Sequence, residues 1–312
     1  MQVHRHFPEE VLIQTKVVPS ALAIGNFDGV HLGHQALLTK LVDTAREQKL
    51  RSVVMTFEPH PREFFTPEQA PARLTSLREK LEFFADAGVE QVYICRFNQR
   101  FSAMTAESFM QDILKSALNA QAILVGDDFR FGAKRHGGIV DLRDAGFHII
   151  SVPEVKFGDV RISSTGIRDA LKTGNLAQAK SFLGRDYSIS GKVVHGAKRG
   201  RQLGFPTANV HMRHERPALT GVYAVKLTDA ALNVHIGVAN MGVRPTVAGI
   251  PKLSLEVHLF DFDADLYGQH VHVSFLHKIR DEKKFPDFEA LKAQISLDAR
   301  VARDFHNSVI AA

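Results

Sequence analysis

The 312-residue chain is poor in the features that mark several large protein classes. It has a single cysteine, Cys95, which excludes an internal disulfide and a cysteine zinc site. That residue lies in the apolar run Val92-Tyr93-Ile94-Cys95, where a buried thiol in a reducing compartment is expected. No apolar stretch approaches a membrane span, and the charged start Met1-Gln2-Val3-His4-Arg5-His6 lacks the apolar segment of a signal peptide. A cytoplasmic chain with no membrane partner is expected. There is no block of five or more Lys and Arg residues, the usual mark of a nucleic-acid tail. Neither Gly-x-x-x-x-Gly-Lys-Ser/Thr nor Gly-x-Gly-x-x-Gly occurs, which argues against a conventional P-loop enzyme and a dinucleotide fold.

What is present is an ordinary globular composition, 45% hydrophobic with a formal charge of +5, long enough for two domains. The mildly basic balance suits anionic small ligands and is also compatible with weak nucleic-acid attraction. The organising stretch is Gly25-Asn26-Phe27-Asp28-Gly29-Val30-His31-Leu32-Gly33-His34, between the apolar run Ala21-Leu22-Ala23-Ile24 and a helical pattern with Leu37, Leu38, Leu41 and Val42 on one face. This reads as strand, turn and helix start. There the unpaired N–H groups and the positive end of the helix dipole favour an anion such as phosphate. His31 and His34, three residues apart, fall on one side of the first helical turn and add two donors.

Further strands are expected at 52–57, 91–95, 122–125 and 147–152, with helices at 37–48, 76–87 and 105–118 between them. Such alternation predicts an α/β fold, a doubly wound parallel sheet with helices on both faces. Ligands in such sheets sit at the carboxyl ends of strands. After the fourth apolar run comes Gly126-Asp127-Asp128-Phe129-Arg130-Phe131-Gly132, which is either a solvated turn or a ligand loop. After the fifth comes Ile162-Ser163-Ser164-Thr165-Gly166-Ile167-Arg168, whose hydroxyls and guanidinium suit triphosphate oxygens and would equally make an ordinary N-cap. Three such loops are expected to share one cleft.

Two short helical patterns follow at 170–183, and near Leu183–Arg185 the texture changes to strict alternation, with strands at 187–195, 221–227, 234–239, 253–259 and 271–276. This predicts domains at 1–184 and 185–312, the second an antiparallel β-barrel. A terminal amphipathic helix over 286–305 should pack through Phe288, Leu291, Ile295 and Val301. In the barrel, the segment from Gly191 through His195, Gly200, Arg201 and Gly204 to Asn209 is glycine-rich and basic, fit to wrap a triphosphate or to meet RNA backbone. Thr207 and Asn209 share a side of one extended segment and offer oxygen to a hydrated Mg²⁺. Glu256, alternating with Leu255 and Val257, is either a solvated edge glutamate or a general base.

The His31-Leu32-Gly33-His34 element resembles the HxGH signature of the nucleotidyltransferase superfamily. Together with Phe129-Arg130-Phe131-Gly132, Ile162 to Arg168, Gly204-Phe205-Pro206-Thr207-Ala208-Asn209 and Leu255 to Gly268, it resembles the bacterial bifunctional riboflavin kinase/FMN adenylyltransferase family over about residues 10–305. That resemblance implies riboflavin, FMN and ATP as small-molecule substrates, Mg²⁺ as cofactor, and FMN and FAD as products, with no nucleic-acid partner and no set oligomeric state. It implies that His31 and His34 are catalytic in adenylyl transfer. Gly25, Asn26, Asp28, Asp128, Ser164, Thr165 and Arg168 would contact that nucleotide, and Pro59 and Pro61 would wall its flavin. In the kinase half, Glu256 would be the base, Thr207 and Asn209 would hold Mg²⁺ and phosphate, and Gly191, His195, Gly200, Arg201 and Gly204 would line the nucleotide loop. Arg303 or Arg300 would reach the kinase flavin. Asp128 stands where some relatives carry asparagine, so its acid suits adenine, ribose or Mg²⁺ better than phosphate. A transferase with a non-catalytic barrel, and an RNA-binding module, are the competing expectations.

Overall fold

The computed structural model describes residues 1–5, 18–196, 200, 204–212, 216–244 and 252–310. These form two compact units: Met1–Pro71 with Leu77–Ser163, and Ala72–Ser76 with Ser164–Ala312. No helix among the described residues is long and apolar enough to cross a membrane.

In the first unit, β1 (Gln2–His4), β2 (Ser20–Ile24), β3 (Arg51–Glu58), β4 (Gln91–Arg96), β5 (Ala120–Gly126) and β6 (His148–Val152) make one parallel sheet in the order β1-β4-β3-β2-β5-β6. Every residue of β2 is buried, because helices cover both faces of a parallel sheet. Alternate residues therefore feed separate cores. Ala21 and Ala23 join Leu38 and Leu41 of α1 (Leu32–Glu47) and Phe84 of α2 (Leu77–Asp86) on one face. Leu22 and Ile24 join Cys95, Ile113 and Leu114 on the other. The expected strands and helices are all found, with two adjustments. Helix α1 starts at Leu32 rather than Leu37, because His31 caps it. The helix expected over 105–118 begins with Thr105 accepting from the Ser108 N–H and widens to a π-helical turn over Phe109–Ala117. The short edge strand β1 carried no alternation to announce it. Burial pushes the Cys95 thiol well above its usual range, so it is an inert core residue.

The strand order reverses beside β2. The chain steps from β2 to β3 and β4 on one side, then returns to β5 and β6 on the other. The crevice outside the carboxyl ends of β2 and β5 is thus the topological switch point, where open α/β sheets bind ligands.

The second unit contains α3 (Ser164–Lys172), α4 (Leu176–Leu183) and a closed antiparallel barrel. Its strands are β7 (Ser188–Val194), β8 (Ala208–His211), β9 (Gly221–Thr228), β10 (Val234–Arg244), β11 (Lys252–Leu259) and β12 (His270–Arg280), ordered β7-β8-β11-β10-β9-β12. Strand β8 was hidden in the sequence by the glycine-rich segment before it. Inward residues such as Ile189, Val210, Tyr223, Met241, Leu255 and Phe275 fill the lumen. The outward residues Val222, Ala224, Val238 and Phe260 form an apolar seam for the terminal helix α5 (Phe288–Ile310).

The face α5 presents differs from the one expected. Phe288 is exposed, and Leu291, Ile295 and Val301 are only part-buried, while Asp298, Ala299, Ala302 and His306 are buried. Asp298 accepts from Arg280 of β12 at 3.0 and 2.6 Å and from Gln294 at 2.8 Å. A paired carboxylate and two alanines let the helix approach the barrel closely, which a pattern search for large apolar residues does not register.

Candidate active sites

In the first unit, the chain leaves β2 through Gly25, whose N–H donates to the Met55 carbonyl at 3.1 Å. Phe27 (φ 50°) and Val30 (φ 39°) then adopt left-handed backbone, which is costly for residues with a Cβ and most of all for a β-branched one. The buried Phe27 side chain accounts for the strain: it packs edge-on against Phe84 at 5.2 Å and against His34 at 5.2 Å. The loop is thereby anchored by its aromatic side chain.

His31 caps α1, its Nδ1 accepting from the His34 N–H at 3.3 Å. That bond fixes the proton of a neutral His31 on Nε2. The two imidazoles stack 3.7 Å apart at an interplanar angle of 14°. Burial, then the neighbouring His31 and Lys80 charges, hold the His34 pKa well below the ordinary histidine value. His34 Nδ1 and Asn26 Oδ1 are both buried without a hydrogen-bond partner. Each such atom costs about 1–3 kcal/mol, so the loop carries a deficit that a ligand would relieve. Asp28 is also buried in this turn.

The loop after β5 stands beside it, since β2 and β5 are neighbours. Asp128 is exposed at its tip and pairs with Arg161 at 3.2 Å, while Arg161 also reaches Glu154 at 2.8 Å. The extra acid is thus neutralised from within the unit. Arg161 directly precedes the serine-threonine motif, and that adjacency was the sequence signal that could have named it. Ser164, Thr165 and Arg168 lie on α3 in the other unit, where Arg168 Nε donates to the Ala72 carbonyl at 2.6 Å. After β3, Pro59 and Pro61 bracket His60, which caps the short helix Pro61–Phe65. Phe57, Phe64, Phe65, Phe97 and Phe101 form a connected aromatic cluster there, with Phe65 62% exposed at its rim.

In the second unit the relevant face is the outside of the barrel, beside the α5 seam. Strand register sets one row across it: Val194 opposes Asn209, Asn209 opposes Glu256, Glu256 opposes Asn240, Asn240 opposes Val222, and Val222 opposes Arg280. Directly opposed residues share a face, so Asn209 and Glu256 are neighbours. Phe205 packs on His258 at 5.3 Å, and His258 Nδ1 meets the Pro206 carbonyl at 2.9 Å. These contacts pin the Gly-Phe-Pro-Thr segment to the barrel wall just before Asn209.

Gly196 and Gly200 stand against the Asn209 and Thr207 side chains. A Cβ on Gly196 would collide with the Asn209 amide, and one on Gly200 would strike the Phe205 carbonyl and come within 3.2 Å of Thr207 Oγ1. Gly191 lies instead inside β7, packed on the His211 carbonyl, and Gly204 forms an exposed turn. His195 is exposed and packs against the Tyr267 ring at 3.9 Å, tilted by 37°. Arg201, with Lys198 and Arg199, lies outside the described residues. On α5, Arg303 sits over the Phe260 ring at 4.2 Å and pairs with Asp261 at 2.8 Å, holding that carboxyl below its usual range. Arg300 is exposed on the same helix.

A helix-tip anion site at a sheet switch point, joined in one chain to a barrel with a carboxylate and oxygen donors under glycines, defines a two-site nucleotide-using transferase. The comparisons give the particular family. Residues 13–166 match the FAD synthetase family model and residues 183–306 the riboflavin kinase model. The chain is 50% identical over 288 residues to the bifunctional riboflavin kinase/FMN adenylyltransferase of Escherichia coli K12, covering 91% of this chain and 92% of that one. It is 46% identical over 292 residues to that of Haemophilus influenzae, covering 92% and 94%. A crystal structure described as a macrolide-efflux protein from Streptococcus pneumoniae superposes with a TM-score of 0.82 at 32% identity, covering 97% of this chain and 99% of that one. The chain belongs to the bifunctional riboflavin kinase/FMN adenylyltransferase family.

Proposed function

We propose that the chain makes FAD in two steps: the barrel phosphorylates riboflavin with ATP, and the sheet unit joins the resulting FMN to AMP from a second ATP. The adenylyltransferase part is residues 1–184 and the kinase part 185–312, a division supported by the family-model matches at 13–166 and 183–306. The need for ATP and the reduced core thiol of Cys95 favour a cytoplasmic setting.

For adenylyl transfer, the supporting observation is the buried unpartnered ring nitrogen His34 Nδ1 at the tip of α1. An FMN phosphate oxygen attacks the α-phosphorus of ATP, the α–β bridging P–O bond breaks, and pyrophosphate departs with the electron pair. The nucleophile is already an anion, so the protein supplies orientation and charge stabilisation. His31 donates from Nε2, and the α1 N-terminus with Gly25 and Asn26 faces phosphate. Ser164, Thr165 and Arg168 hold the leaving pyrophosphate, and Asp28 and Asp128 serve the nucleoside end. The Pro59–Pro61 segment and its phenylalanines wall the isoalloxazine.

For phosphoryl transfer, Glu256 takes the proton of the riboflavin 5′-hydroxyl, its oxygen bonds to the γ-phosphorus, and ADP leaves. Positioning and charge neutralisation dominate such reactions. The Thr207 hydroxyl and Asn209 amide oxygen, cradled by Gly200 and Gly196, are the hard donors that Mg²⁺ accepts alongside water and phosphate. When bound, Mg²⁺ supplies charge neutralisation on the phosphates. The loop after β7, with His195, Gly200, Arg201 and Gly204, closes over nucleotide, and Arg303 borders the flavin.

Chromatography of riboflavin, ATP and Mg²⁺ incubated with the chain tests this. Both FMN and FAD are expected, and the double variant His31→Ala, His34→Ala should stop at FMN. Undiminished FAD from that variant would overturn the histidine assignment.

A further inference from the structure

Neither reaction above uses Lys80, yet its side chain is only 2% exposed, inside a unit where an ammonium is costly to bury. It lies near the start of α2 (Leu77–Asp86), as His34 lies near the start of α1 (Leu32–Glu47). Each of these helices joins two parallel strands, β2 to β3 and β3 to β4. Such a helix runs back against its strands, so it begins at their carboxyl ends, beside the crevice. Both helices also cover the same face of the sheet, where Phe84 of α2 shares a core with Leu38 and Leu41 of α1.

Side chains four apart on a helix lie one above the other, so Lys80 stands one turn nearer the crevice than Phe84. Phe84 meets the Phe27 ring at 5.2 Å, and Phe27 meets the His34 ring at 5.2 Å. This aromatic bridge spans the two helices, with Lys80 next to one end and His34 at the other. The Lys80 charge is felt there: with burial and His31, it lowers the His34 pKa.

The histidine pair is built to be neutral. His31 Nδ1 accepts from the His34 N–H at 3.3 Å, and the two rings stack 3.7 Å apart. A proton on His31 Nδ1 would end the cap, and protons on both rings would set two cations at stacking distance. A neutral pair leaves the positive charge of a triphosphate site to another group. An ammonium, with an ordinary pKa of about 10.4, stays charged throughout the neutral range.

We propose that Lys80 is a positioning residue for adenylyl transfer: its buried ammonium is the fixed positive charge behind the α1 tip and acts on nucleotide through His34. This rests on the reading that the α1 tip holds the triphosphate. The cation keeps a proton off His34, so the ring stays stacked and meets phosphate as a neutral donor into mildly acidic pH. The other titratable groups on the surrounding elements are His31, Asp28 in the turn and Glu79 on α2, all buried. Buried carboxylates favour a charged imidazole, and Lys80 opposes them. Arg78 and Glu82, on the opposite side of α2, pair with each other at 3.0 Å. Glu154, beside the Val155 that stands over Gly33, pairs with Arg161.

The test is a histidine-ring NMR titration of the full chain, with the His34 signal assigned by its loss in His34→Asn. Lys80→Met, which keeps the length of the side chain and loses the charge, should move the His34 titration up by about one pH unit. Lys80→Gln, equally neutral, should do the same, and Lys80→Arg should leave it in place. In adenylylation of supplied FMN, the acidic limb of kcat/KM for ATP should move up in the two neutral variants, with riboflavin phosphorylation unchanged as the reference for intact protein. Adding Lys80→Met to His34→Asn should not move that limb further, because the residue acts through His34. A His34 titration that is the same in wild type and the neutral variants, or a limb displaced as far by Lys80→Arg as by Lys80→Met, overturns the proposal. Undiminished adenylylation by His34→Asn overturns the role of the helix tip itself, a separate result.

Discussion

The two units solve the same problem, stabilising a polyphosphate during transfer, with different parts of the polypeptide. In the sheet unit the proposed site is a helix end: a helix tip at a switch point, a capping histidine and a second histidine stacked upon it. In the barrel the proposed site is set by register, with Asn209 and Glu256 directly opposed on neighbouring strands. The helix-tip loop of the first site is contiguous in sequence and strained in backbone; the opposed pair of the second is dispersed in sequence and assembled by strand pairing. A contiguous site tolerates changes elsewhere in its fold, whereas a register-built site depends on every strand keeping its place.

The sharpest way to separate the two is Glu256→Gln. It should lower riboflavin phosphorylation about 10²–10⁴-fold, the usual share of a general base, and leave conversion of supplied FMN to FAD unchanged. Joint loss of both activities would end the idea of independent chemistry. His34→Ala should then cost adenylylation about 10²–10³-fold, the scale of one lost charge-stabilising group, with phosphorylation intact. The next effect concerns what holds the barrel site together. Asp298→Ala takes from the part-buried Arg280 its carboxylate partner, leaving only the hydrogen bond to the Asp281 carbonyl, and should destabilise the barrel unit by about 1–3 kcal/mol, read as a lower urea midpoint for phosphorylating activity than for adenylylation. Coincident, unshifted midpoints would refute it.

The smallest effect is pH-linked and shared. His34 in one unit and His306 in the other both have pKa values lowered, chiefly by burial. Their native states stay neutral where the unfolded chain binds a proton, so ν_U exceeds ν_N below the unfolded value of about 6.5. Stability should therefore fall as pH drops below that value, by at most about 1.4 kcal/mol per pH unit for each histidine, and should be flat with respect to them above it. Urea midpoints at several pH values, compared with His34→Asn, check the sign. A midpoint that rises on acidification would contradict it.

Much of this was legible because it is local. The fully buried β2, the stop of α4 at Gly184 and the alternation along β9 and β11 are written in periodicity and turn chemistry. The stacking of His31 on His34 follows from a three-residue spacing on one helix. Less legible was whatever depends on a partner far along the chain. That Asn240 of β10 stands opposite Glu256 of β11 is set by strand register and by nothing in either segment alone. The buried face of α5 was misread for the same reason: Asp298 is apolar in effect only because Arg280, 18 residues earlier, closes on it.

The sequence by itself determined most of the elements and the succession of a parallel sheet by an antiparallel barrel, since each is encoded by neighbours within a turn or a strand. Tertiary structure alone decided which side chains stand side by side on the barrel wall, which helix face is buried, and that Arg161 answers the charge of Asp128. The reason is physical. Periodicity fixes the direction in which a side chain leaves its own backbone, but its neighbours across a sheet are chosen by register, a property of two segments together that neither one carries alone.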